Sequence, residues 1–176
     1  MIMKYLGIRN DDVLQLEPSS RHQRSVLIGK SLFGEFLKAD KVFKKYNYPC
    51  ILAVLAEGID YHTEWVDYIK ANQHRYKIEL HGFTHRNYGR LGRKELLLEL
   101  FQAKEKIEDT FEVKISKWYL PFGRKGETPF GSRVCKKLGI EYDIQTRKID
   151  AKIWLKEYKK TGYWPFEHIN FHYWYP

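Results

Sequence analysis

Residues 49–56 read Pro-Cys-Ile-Leu-Ala-Val-Leu-Ala, an unbroken apolar run of strand length, and no other stretch constrains the fold so tightly. A strand with one wet face alternates apolar and polar side chains. One that is apolar at every position needs cover on both faces, which helices packed on a parallel sheet provide. The flanks agree. Leu32, Phe33, Phe36, Leu37, Val42 and Phe43 recur at near-helical spacing in 31–46, and Trp65, Val66, Tyr68 and Ile69 mark a shorter helix over 63–72. The clearest helix spans 94–111, with Leu96, Leu97, Leu100, Phe101 and Ile107 on one side and Glu-Lys pairs on the other.

Strands are predicted at 3–8, 76–83, 115–122, 140–146 and 168–174, and further helices at 128–138 and 151–160. Thr128-Pro129 supplies an N-cap and first helical position, and Gly139 a stop. Residues 14–29, with Pro18, read as a loop. Strands alternating with helices imply right-handed crossovers and a mainly parallel sheet, open or closed into a barrel. The pattern gives about six strands, fewer than the eight of a full (β/α)8 barrel, so a short or distorted barrel fits. At 176 residues the chain is expected to form one domain over 1–176.

Composition narrows the function classes. Net charge is +9, but Lys41, Lys44 and Lys45, then Lys104 and Lys106, then Lys156, Lys159 and Lys160 are scattered over three expected helices with acidic neighbours. Solvated helix faces explain them better than a nucleic-acid surface. The two cysteines, Cys50 and Cys135, form no Cys-x-x-Cys pair, so neither a disulfide framework nor a thiolate zinc site is signalled. No run approaches the roughly 20 apolar residues of a membrane span, and residues 1–9 do not have the form of a signal peptide. A cytoplasmic protein is expected.

Polar groups gather at the ends of expected strands: Asp11-Asp12, His81 with His85, Pro121-Phe122-Gly123, and His172. Parallel sheets collect ligands at the carboxyl ends of strands. The spacing His81-x-x-x-His85 suits one metal ion from a helix or from a tight turn; Gly82, Gly89 and Gly92 favour the turn. A hydrogen-bonded histidine pair and an Asp-rich turn remain the alternatives for these stretches. One carboxylate with two imidazoles leaves a coordination position open, the arrangement of a hydrolytic zinc site. Both aspartates can serve one site only if the backbone turns between them, since consecutive strand side chains face opposite ways. The spare carboxylate can then take a proton from water, and a histidine can return one to a leaving group.

In this order, Gly-Ile-Arg-Asn-Asp-Asp, His-Gly-Phe-Thr-His, Leu-Pro-Phe-Gly and Ile-Asn-Phe-His resemble the successive motifs of the polysaccharide deacetylases, the NodB-homology domains of carbohydrate esterase family 4. The resemblance spans residues 8–175. It implies a distorted (β/α)7 barrel and a metal-dependent hydrolase that removes N-acetyl groups from a carbohydrate substrate. Asp12, His81 and His85 would hold a divalent metal, usually zinc, with Asp11 as general base and His172 as general acid. Tyr119, Pro121, Phe122 and Gly123 would line the substrate groove with Trp174, an amide such as that of Phe122 would help hold the oxyanion, and Thr84 would brace the histidine loop. Many family members carry an arginine at the start of the Pro-Phe-Gly motif that pairs with the base. Tyr119 stands there instead, leaving Arg9 and Arg124 as substitutes. A glycan-binding protein without catalysis is the second function class this departure suggests.

Overall fold

The computed structural model describes residues 7–16, 31–144, 159–160 and 168–171, the last four by their backbone alone. Six strands run through them: β1 (Gly7–Val13), β2 (Cys50–Leu55), β3 (Tyr76–Gly82), β4 (Lys117–Tyr119), β5 (Glu141–Asp143) and β6 (His168–Phe171). Four helices connect them: α1 (Leu32–Lys45), α2 (Thr63–Ala71), α3 (Arg93–Phe111) and α4 (Gly131–Leu138). The helix expected at 151–160 and the end of the strand expected at 168–174 lie largely outside the described residues.

Every strand pairing is parallel, and the order is β5-β4-β3-β2-β1-β6. From β1 to β5, strands consecutive in sequence are neighbours, and β6 lies on the free side of β1. This is the cyclic order of a barrel, left open between β5 and β6 among the described residues. The α/β class of mainly parallel strands expected from the sequence therefore holds.

Residues 49–56 behave as their composition requires: Leu52, Ala53, Val54 and Leu55 are buried, with Leu80 of β3 beside them. Phe36 of α1, Trp65 and Ile69 of α2, and Leu96, Leu100, Ile107 and Phe111 of α3 cover the sheet. Each such side chain contributes about 1.5–3 kcal/mol by leaving water. Ser31 caps α1 by accepting the Gly34 amide at 3.3 Å. Gly139, at φ +69°, ends α4 as the sequence predicted.

Three boundaries differ from expectation. Helix α4 begins at Gly131 rather than Thr128, because the Thr128 hydroxyl accepts the Phe130 amide at 3.3 Å and forms a turn of its own. Strand β4 covers three residues of the expected eight. Strand β1 continues through both aspartates to Val13, with its register against β2 shifting between Asn10 and Val13.

Candidate metal centre

That shift in β1 is a bulge, and Asp12 within it adopts φ +61°. A regular strand would send Asp11 and Asp12 to opposite faces; the left-handed residue supplies the turn that both aspartates require. Asp12 is 2% exposed and is aimed at the end of β3. There its Oδ1 lies 3.3 Å from His81 Nε2 and 3.0 Å from His85 Nε2. The donor atoms of Asp12, His81 and His85 all fall within 4.8 Å of one another.

His81 belongs to β3, and His85 to the turn that follows it, so the turn expected from the glycines is the one formed. Two contacts orient His81. Its Nδ1 is 2.7 Å from the Tyr119 carbonyl, an acceptor, which fixes the proton on Nδ1 and leaves the Nε2 lone pair toward Asp12. Its own carbonyl accepts the Trp118 indole N–H at 3.2 Å.

Besides Gly82 and Thr84, the turn is held by Tyr88 and Glu99, which sequence reasoning passed over. Gly82 has φ +142°, and a Cβ built there would stand 2.1 Å from the Tyr88 hydroxyl. Glycine is therefore required by both backbone and space. The buried Tyr88 hydroxyl accepts the Phe83 amide at 3.1 Å and lies 2.8 Å from Glu99 Oε1 and 3.0 Å from the Thr84 carbonyl. Burial, with Glu99 beside it, pushes the phenol well above its ordinary range, so it stays a donor. Thr84 thus takes part in the brace through its carbonyl. The glycine after His81 was the one sequence signal for this close approach.

Asp11 has a different partner. Arg9 donates from Nε to Oδ1 at 2.7 Å and from Nη2 to Oδ2 at 3.0 Å, a two-pronged pair with both residues 3% exposed or less. The guanidinium carbon lies 4.1 Å from the centre of the Tyr119 ring. Of the two candidate arginines, Arg9 is the one that meets Asp11; Arg124 is exposed in the turn after Phe122.

The expected groove residues divide. Tyr119 and Pro121 are buried, Tyr119 against Arg9. Phe122 is 45% exposed, adopts φ +61°, and places its ring 4.5 Å from that of His85. Gly123 follows at φ +53°. His172 and Trp174 lie outside the described residues. His168, by its backbone, pairs with Gly7 at the start of β1, whereas Phe171 pairs with Asn10, one residue before Asp11.

The donors suit a divalent ion. Two ligands each about 2.0–2.2 Å from a tetrahedral ion stand about 3.3 Å apart, close to the two separations from Asp12. Burial lowers the proton affinity of His85, but the Asp12 carboxylate outweighs it and raises the imidazole above its ordinary value. His85 Nδ1 is buried without a hydrogen-bond partner among the described residues.

A parallel α/β sheet thus carries an Asp-His-His cluster at the carboxyl ends of β1 and β3, which flank β2, and solved structures of carbohydrate esterase family 4 share the fold. A pseudoenzyme of that family from Bacillus anthracis superposes with a TM-score of 0.65 over 96% of this chain and 54% of its own, at 12% identity. A family 4 carbohydrate esterase from Streptomyces lividans, in complex with acetate, gives 0.63 over 99% and 81%, at 15% identity. The polysaccharide deacetylase Bc1974 from Bacillus cereus gives 0.61 over 99% and 81%, at 14% identity. The chain thus spans about half the length of the Bacillus anthracis protein. No curated protein is detectably similar in sequence. The polysaccharide deacetylase profile matches residues 36–142, and the chain belongs to the polysaccharide deacetylase family.

Proposed function

We propose that this chain is a metal-dependent hydrolase that removes N-acetyl groups from a sugar or polysaccharide. The observation that carries the reading is the convergence of Asp12, His81 and His85, from two strand ends and one turn, on a single buried point. A divalent cation, proposed as zinc from the nitrogen and oxygen donors, would supply Lewis acidity and a more acidic water there. Asp11, one residue from Asp12 and held by Arg9, is proposed to accept the proton of the attacking water. His172 is proposed to return a proton to the departing amine, and the Phe122 amide to steady the oxyanion. Phe122, half-exposed beside His85, and Trp174 are proposed to receive a sugar ring. A cytoplasmic location is proposed with it.

A second reading, a deacetylase-like glycan binder without turnover, draws on Tyr119 standing in the place of the motif arginine and on the pseudoenzyme among the similar structures. Acetate release from N-acetylglucosamine oligomers decides between them. The hydrolase reading expects release that stops on chelation, returns with zinc, and collapses in Asp11→Asn while zinc stays bound. His81→Ala should lose the zinc itself. Retained turnover in Asp11→Asn would sink the assignment of the base; oligomer binding with no acetate would select the second reading.

A further inference from the structure

We propose that Arg9 is a positioning residue for the base and Tyr119 the platform it works from, so that one residue of β4 sets both Asp11 and His81. This rests on the hydrolase reading above. Strand alternation brings residues 9 and 11 of β1 to one face. There the arginine fork engages both oxygens of Asp11, at 2.7 and 3.0 Å, and fixes the plane of the carboxylate as a single bond could not. Below the fork, at 4.1 Å from the guanidinium carbon, lies the Tyr119 ring. The same tyrosine offers its carbonyl to His81 Nδ1 at 2.7 Å. A displacement of Tyr119 would therefore be felt by Asp11 through its ring and by His81 through its backbone.

Stability alone is a poor reason for such a pair. Arg9, Asp11 and Tyr119 are each 3% exposed or less, and a buried ion pair is often matched or bettered by apolar side chains of similar volume. One residue from Asp12, the fork has orientation as its use: two bonds to one carboxylate set its plane.

The test compares Arg9→Met, Arg9→Lys and the double variant Arg9→Leu with Tyr119→Arg. Each is measured for acetate release from N-acetylglucosamine oligomers, zinc affinity by calorimetry, and thermal midpoint. Arg9→Met should lose about 100-fold in kcat, the scale of a misplaced reacting group, with KM and zinc affinity within about threefold of wild type. Arg9→Lys, which keeps the charge without the fork, should fall between. Because the two side chains are in contact, a guanidinium at 119 can reach the same carboxylate, and the double variant should recover about tenfold over Arg9→Met. Unchanged kcat in Arg9→Met overturns the proposal, as does a loss of zinc affinity that tracks the loss of kcat.

The link is also measurable without turnover. The fall in midpoint caused by Arg9→Met should be reduced to about half or less in an Asp11→Asn background. Equal falls in the two backgrounds overturn it. A wild-type protein that releases no acetate while the midpoints remain coupled sinks the hydrolase reading, and with it the catalytic role of Arg9, and leaves only a structural pair.

Discussion

Replacing Gly82 with alanine would put a methyl group where the Tyr88 hydroxyl already sits. The new carbon would lie 2.1 Å from that oxygen and 2.9 Å from Cζ, at a backbone φ of +142°. The backbone conformation alone costs a non-glycine residue about 1–3 kcal/mol. Relief requires Tyr88 to move away from the Phe83 amide and Glu99, leaving buried groups short of partners at a further cost of about 1–3 kcal/mol. The two terms give about 2–6 kcal/mol in total, which for a domain of this size lowers the thermal midpoint by about 4–24 °C. His85 is carried by the same turn, so zinc affinity should also fall by about tenfold or more, as when the groups supporting a metal ligand are lost. Thermal unfolding followed by circular dichroism, with zinc titrated by calorimetry, reads both effects. Gly92→Ala is the control, because nothing lies within 4 Å of its Cβ position; it should stay within about 0.5 kcal/mol of wild type. A Gly82→Ala protein within about 1 kcal/mol of wild type that binds zinc normally would refute the account of the turn.

Asp40 of α1 is buried, takes two bonds from Arg75 at 2.9 and 3.1 Å, and accepts the Tyr68 hydroxyl at 2.7 Å. Burial pushes its carboxyl up, but Arg75 and Tyr68 outweigh this and hold it below the ordinary value. The stability it contributes is present above the unfolded value of about 3.9 and is lost as pH falls toward the folded one, at no more than about 1.4 kcal/mol per pH unit. Acid unfolding below about pH 4 should lose this component in Asp40→Asn. Glu79, fully buried, accepts the Ser116 and Lys117 amides at 2.9 and 2.8 Å. Glu79→Gln replaces an acceptor with a donor there and should cost about 2–4 kcal/mol in denaturant unfolding. Phe122→Gly relieves about 1 kcal/mol of left-handed strain, so the midpoint should hold or rise while KM for the oligomers increases; a fall in the midpoint would show that the ring serves the fold.

The sequence pattern was strongest where one physical demand acted alone. Residues 49–56 are apolar because both faces of β2 are covered, and that reading survives unchanged. The histidine turn was legible because Gly82 is awkward in a helix. Strand β1 outruns its expected end at Ile8, since Arg9, Asn10, Asp11 and Asp12 are polar although buried, and periodicity cannot tell a site-facing strand end from a loop. The apolar stretch at 115–122 overstated β4 for the opposite reason: Ile115 and Leu120 are buried without extending the ladder. Arg9 was visible as a candidate, but its choice over Arg124 depends on the i, i+2 geometry of β1, which holds only because the strand continues through these polar residues. Nothing in the order of residues tied Tyr88 to Gly82; that contact exists only once the turn closes.

Strands β3 and β4 share a single register pair, Leu80 with Trp118, among the described residues. Side chains close the rest of this seam, Glu79 at one end and, at the other, the His81 ring on the Tyr119 carbonyl with the Trp118 indole on the His81 carbonyl. A proposed metal ligand is thus also a stitch between two strands. Whatever steadies His81 should slow the parting of β4 from the sheet, and its loss should make this edge the first to breathe. Amide exchange in β4 would then follow the occupancy of a centre to which β4 contributes no ligand.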